Sequence, residues 1–153
     1  MATPSAAQLA DFQNFITGVM GISALYLPIT SPIITTSLSI ALDFVNTAIA
    51  LIADGSGDLY ALALNNLAAD FLVQWAQDQP GQTFFQNARS SWGVNSFSAG
   101  VIRSAHDEST GSDYAMPKFY QNLSLMDLQN LKTPYGRQYL AIAQQFGSLW
   151  GLS

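Results

Sequence analysis

Apolar side chains recur at alternating spacings of four and three along most of this chain, and polar residues fill the gaps between them. That period places one face of a helix toward a core. Leu9, Phe12, Phe15 or Ile16, and Val19 mark a first helix from about Pro4 to Ile22, opened by Thr3 and Pro4. Ser31-Pro32 repeats that start signal, and Leu38, Ala41 with Leu42, Val45, Ala48 with Ile49, and Ile52 predict a second helix that ends at Asp54-Gly55-Ser56-Gly57. A third helix is predicted from Asp58 to Gln77. It has Tyr60, Leu64, Leu67, Phe71 and Trp75 on one side and Asp58 in its first turn, where a carboxylate suits the helix dipole. A short Gly-rich turn between the second and third helices implies an antiparallel pair.

Beyond this helical core the pattern changes. Gln79-Pro80-Gly81-Gln82 reads as a turn, and Thr83 to Trp92 as a short helix with Arg89 outward. From Gly93 to Pro117 the helical period is lost. Phe97, Ala99 and Val101, and later Tyr114 and Met116, alternate as in strands, with a polar tip from His106 to Asp113 between them. A long loop or hairpin in a small domain is usually functional. Lys118 to Leu123 reads as extended, and Ser124 caps a short helical turn bearing Leu125, Leu128 and Leu131. Thr133-Pro134 then opens a closing helix with Tyr135, Tyr139, Ile142 and Phe146 on its inner face and Gly136 allowing close approach. Gly147 releases a short arm containing Leu149, Trp150 and Leu152. Such an apolar, uncharged end is expected to be held by a neighbour, since chain ends are otherwise polar and frayed.

The fold class that follows is mainly α: a helical bundle with a protruding β-hairpin or long loop and a C-terminal helix plus short arm. The 153 residues form one domain, with a helical core over 4–78, a protruding loop or hairpin over 93–117, and the C-terminal helix and docking arm over 133–153. A domain of this size buries roughly 68 to 70% of its unfolded surface and needs no disulfides.

Composition narrows the function. The chain has no Cys, which excludes thiol catalysis, Cys-ligated zinc and disulfides. Only 10% of residues are charged, against about 25% in ordinary soluble domains, as suits a surface spent largely on protein contacts. Residues 1–88 carry six acids, Asp11, Asp43, Asp54, Asp58, Asp70 and Asp78, and no base. No Lys or Arg cluster is present to neutralise phosphates. The 31 uncharged residues between Asp11 and Asp43 are long enough to span a bilayer. Pro28, Pro32 and a density of Ser and Thr break that run, and no basic residue precedes Arg89 to anchor it.

Candidate chemistry is sparse. His106, the sole histidine, has Asp107, Glu108 and Ser109 beside it, but adjacent residues on a loop tip neither converge on a cleft nor have metal-ligand spacing. Asp54-Gly55-Ser56-Gly57-Asp58 lacks the glycine position and the bidentate Glu of a calcium loop. No phosphate loop, dinucleotide fingerprint, nucleophile elbow or zinc-protease motif occurs. Asn122-Leu123-Ser124 matches a glycosylation sequon without a secretion signal to give it meaning. No catalytic residue, metal or cofactor is therefore expected.

Thr133-Pro134-Tyr135-Gly136-Arg137-Gln138-Tyr139-Leu140 resembles the Thr-x-Tyr-Gly-x-x-Tyr-Leu ending of head-to-tail adaptor proteins of long-tailed bacteriophages, also called head completion or connector proteins. Leu64-Asn65-Asn66-Leu67-Ala68-Ala69-Asp70-Phe71-Leu72 is similar to that family's Leu-Ala-Ala segment, with Asp70 where the family often has His. Gly100-Val101-Ile102-Arg103-Ser104-Ala105 resembles its Gly-x-Val-x-Ser-Ala loop. The N-terminal helices match only in general character. The resemblance implies a mostly helical, non-enzymatic virion protein at the head-tail junction, assembled in the host cytoplasm. It implies a ring, commonly twelvefold, beneath the portal protein, with DNA only passing through the channel and no membrane contact. The arm residues Leu149, Trp150 and Leu152 would dock on the portal. Arg103, His106, Asp107, Glu108 and Arg137 would make ring or neck contacts, including those to the next neck or tail ring. A tail terminator or collar ring, or a membrane-associated helical protein, is the alternative.

Overall fold

The computed structural model describes residues 1–47, 49, 58–96, 104–106, 111–113 and 125–146. These are mainly helical. In chain order they contain α1 (Ala6–Gly18), α2 (Pro32–Phe44), α3 (Asp58–Trp75), α4 (Phe84–Ser91), strands β1 (Ser104–His106) and β2 (Gly111–Asp113), α5 (Leu125–Asn130), α6 (Pro134–Ala143) and a 3₁₀ turn (Gln144–Phe146).

α1 and α2 differ most from their sequence expectation at the ends, while α3 stops at Trp75, short of Gln77, and α4 is one residue shorter at each end than 83–92. α1 starts after Ser5, not at Pro4, because Ser5 and Gln8 form a capping box: the Gln8 N–H donates to Ser5 Oγ at 3.2 Å and the Ser5 N–H to Gln8 Oε1 at 2.9 Å. It ends at Gly18 instead of Ile22, and the Met20 and Ile22 amides fold back onto the Phe15 and Ile16 carbonyls. α2 begins at Pro32 as expected but stops at Phe44, where Val45 turns extended (ψ 134°). The period continues through Val45 and Ile49, both buried, so it does not reveal the break. The break leaves the Asn46 N–H outside a helix, and the Tyr139 hydroxyl oxygen accepts from it. The end predicted at residues 54–57, with its Gly-rich turn, lies outside the described residues. Phe44 and Phe71 meet with ring centroids 6.4 Å apart, one of the contacts through which α2 packs on α3.

α3 is the axis of the bundle. Instead of one buried side, every residue from Ala63 to Val73 is buried. Ala63, Ala68 and Ala69 let neighbours approach the flank that the larger side chains leave, and α1, α2, α4 and α6 all pack on it. The core so formed holds Phe12, Ile16, Ile34, Leu38, Leu67, Leu72 and Val73, each essentially inaccessible to water.

The corner between α3 and α4 is held by exchanged caps. Thr83 makes no side-chain cap to α4. Asp78 takes that role, accepting from the Phe85 and Gln86 N–H groups at 2.8 Å each. In return Arg89 is not turned outward: its Nη1 donates to the Val73 and Ala76 carbonyls at 2.9 and 2.7 Å, where the end of α3 leaves carbonyls without helical partners.

β1 and β2 pair antiparallel, with Ser104 opposite Asp113 and His106 opposite Gly111. This pairing falls on residues read from the sequence as leading into, or forming, the polar tip. The alternating residues Phe97, Ala99, Val101, Tyr114 and Met116, and the extended 118–123 segment, lie outside the described residues.

Candidate functional site

The seam between the second half of α3 and the α5–α6 corner gathers the densest polar chemistry in the described structure. Thr133 caps α6 as its sequence predicts, its Oγ1 accepting from the Gly136 N–H at 2.9 Å. The same hydroxyl donates to Asp70 Oδ1 on α3. Gln74, one turn further along α3, donates from Nε2 to Asp70 Oδ2 at 2.7 Å. The Asn130 amide, with its nitrogen toward its acceptors, adds a bond to the same oxygen at 3.0 Å and one to the Met126 carbonyl at 3.3 Å. Asp70, Asn130 and Thr133 are all buried. Burial pushes the Asp70 carboxyl up to about 7, against the lowering effect of the Thr133 and Gln74 hydrogen bonds.

Gly136 makes the seam possible. A β-carbon there would lie 2.1 Å from the Asn130 carbonyl oxygen and 2.7 Å from the Asn130 Cα and carbonyl carbon. Only glycine permits that approach. Tyr135 wedges its ring edge-on between Phe15 and Trp92, with centroids at 6.2 and 5.9 Å, tying α6 to α1 and to the end of α4. Lys132 donates to the Val94 and Ser96 carbonyls at 3.3 and 2.5 Å, tying the turn that follows α4 to this corner.

Other surface features are more modest. An aromatic ledge is formed by exposed Phe44 and Trp75 on either side of buried Phe71, with the Trp75 ring stacked on Phe71 at 5.0 Å. Leu125 is 82% exposed, although its helical spacing suggests a buried face. An open polar cleft of about 800 Å³ lies beside the α3–α4 corner, lined by Gln77, Gln82, Gln86 and Asn95, with Asp78 and Arg89 already engaged as caps. Among the described residues no group of three His, Asp or Glu side chains could hold a metal ion.

Leu149, Trp150, Leu152, Arg103, Asp107 and Glu108 lie outside the described residues, and His106 is described only as a strand position opposite Gly111. Arg137 is exposed, and its Nη1 donates to the Leu131 carbonyl at 3.0 Å. Sequence reasoning missed Asp70 as an interior residue. Its position in the unbroken Leu67-Ala68-Ala69-Asp70-Phe71-Leu72 run was the available signal, since an ionisable residue enclosed by apolar neighbours on a helix needs partners.

Comparison of the chain with known protein families, with characterised proteins and with solved structures finds no match.

Proposed function

We propose that the chain is a structural adaptor of the bacteriophage head-to-tail type, acting without catalysis as a homo-oligomeric ring that joins a portal to the tail or neck. The observation that carries this reading is the seam. Leu64–Leu72 and Thr133–Leu140 are two of the three segments in which the chain resembles such adaptors, and they lie far apart in sequence yet meet through Asp70 and Thr133. Their residues have matching physical duties: Thr133 as cap, Gly136 as the point of close approach, Tyr139 and Leu140 as buried side chains. Asp70, at the position where the family often has His, supplies the acceptor for that cap.

The surface suits assembly. With few charges and large apolar groups such as Phe44, Trp75, Leu25 and Leu125 in contact with water, the chain offers material for subunit contacts. In this reading the 93–117 stretch is the protruding hairpin or loop, anchored at its base by Lys132, and Arg103, His106, Asp107 and Glu108 meet the adjacent ring. Leu149, Trp150 and Leu152 dock on the portal, contributing about 1.5 to 3 kcal/mol for each large side chain buried. Asp70, wholly buried, takes no part in lining a channel for DNA, and that role falls to exposed acids such as Asp11, Asp43 and Asp58.

The membrane alternative meets one contrary observation: among the described residues no helix is long and apolar enough to cross a bilayer. The decisive experiment is negative-stain imaging of the purified chain alone and mixed with its portal, beside a variant lacking residues 149–153. Rings that cap the portal, with occupancy lost in the truncated variant, are expected. Unchanged occupancy after truncation would remove the docking assignment, and a monomer indifferent to portal would remove the adaptor reading itself.

A further inference from the structure

Asp70 is the one fully buried carboxylate among the described residues, and the groups that reach it are neutral: the Thr133 hydroxyl from α6, the Asn130 amide from α5 and the Gln74 amide from its own helix. The charged and titratable side chains on the elements packed around it are directed elsewhere. On the far helices, Arg89 bonds the Val73 and Ala76 carbonyls, Asp11 accepts from Asn65, and Asp43 accepts from the Ala2 N–H. At the α5–α6 corner, Lys132 bonds Val94 and Ser96, Arg137 bonds Leu131, and Asp127 acts on Tyr139, whose hydroxyl meets Asn46. Tyr135 lies between Phe15 and Trp92. A buried carboxylate without a cation favours its neutral form.

We propose that this seat is a proton-linked latch: Asp70 holds a proton when residues 125–146 are fully seated on α3, and releasing that proton to solvent loosens the seat. The hydrogen bonds accommodate both states. Thr133 and Asn130 donate to the carboxyl group whether or not it is charged. Gln74 sits at the half-buried edge of the seam, and turning its amide over lets Oε1 accept the proton that Asp70 Oδ2 carries.

The direction of the pH effect follows from linkage. The carboxyl group titrates near its ordinary 3.8 in the unfolded chain and at about 7 when seated. The seated form therefore binds the proton more tightly, and its advantage is complete below about pH 4, declines as pH rises, and is gone above about pH 7. This inference does not depend on the adaptor reading.

The test uses the intact chain. The equilibrium constant for unfolding is expected to rise with pH toward tenfold per pH unit between about pH 4 and 7. The Asp70→Asn variant is expected to be flat across that window. Hydrogen exchange, corrected for its intrinsic pH dependence, should show the Gly136 amide losing protection over this range well before amides in the middle of α1. A direct reading that needs no variant is the Asp70 side-chain carbon resonance, which should titrate with a midpoint near neutrality. A midpoint below about pH 5, a wild-type profile as flat as that of Asp70→Asn, or equal loss of protection in α1 and at Gly136 would each overturn the latch.

Discussion

Replacing Gly136 by alanine puts a methyl group where the Asn130 backbone already stands. The added carbon would sit 2.1 Å from the Asn130 oxygen, and ordinary contact begins at 3.4 Å, so the α5–α6 corner must open by more than about 1 Å. Backbone atoms, unlike the end of a flexible side chain, cannot swing aside. In an unobstructed helix the same change would add about 1 kcal/mol through better helix propensity. Here overpacking costs about 1–3 kcal/mol. Moving α6 also weakens the Thr133 cap, worth about 1 kcal/mol, and draws Thr133 from Asp70, leaving a buried acceptor short of a donor at about 1–3 kcal/mol. The net expectation is a loss of about 2–6 kcal/mol, or roughly 5–20 °C in melting temperature for a domain of this size. Gly18→Ala is the matched control: nothing lies within 4 Å of its added carbon, and it should gain up to about 1 kcal/mol. Thermal melts followed by circular dichroism decide the matter. A Gly136→Ala protein that melts at or above the wild-type temperature would refute the close-approach argument.

Three further perturbations probe other parts of the structure. Asp78→Ala removes the acceptor of the Phe85 and Gln86 amides and should cost about 1–2 kcal/mol in urea unfolding, whereas Asp78→Asn should recover part of that loss. Arg89→Met keeps much of the stem but frees the carbonyls of Val73 and Ala76, so a loss of about 1–3 kcal/mol is expected; no loss would return Arg89 to the outward role its sequence suggests. Among the described residues the buried Ser37 Oγ finds no hydrogen-bond partner, so Ser37→Ala should raise stability by about 1 kcal/mol, and a clear destabilisation would mean that the hydroxyl has a partner after all.

Helical periodicity made the main elements legible, and start signals placed α2 and α6 to the residue: Ser31-Pro32 and Thr133-Pro134 stand where the helices begin. Signals that compete locally were harder to read. Thr3-Pro4 looked like a helix start, but the Ser5–Gln8 box satisfies two amides at once and sets the beginning of α1. The break after Phe44 was hidden because Val45 and Ile49 are buried on either side of it, so hydrophobic spacing is the same whether or not the helix continues. Arg89 was misread for a different reason. Charge predicts exposure only until a helix end nearby offers carbonyls, and the end of α3 is distant in the one-sided view that a single helix gives. At the seam, Gly136 was readable as a contact point, but its target was not, because the approach of Asn130 depends on the tight α5–α6 corner. Asp70 fell within an apolar run whose partners, Asn130 and Thr133, lie some sixty residues further on.

The exchanged caps at the α3–α4 corner bear on how the chain comes apart. Helix ends ordinarily unravel one at a time, since each is closed by residues of its own turn. Here the last turn of α3 is closed by a side chain from α4, and the first turn of α4 by a residue just beyond α3. Loosening either end withdraws support from the other, so the corner behaves as a single cooperative unit. Such coupling suppresses the partial openings that proteases exploit, at a point where Pro80 and Gly81 would otherwise invite cleavage.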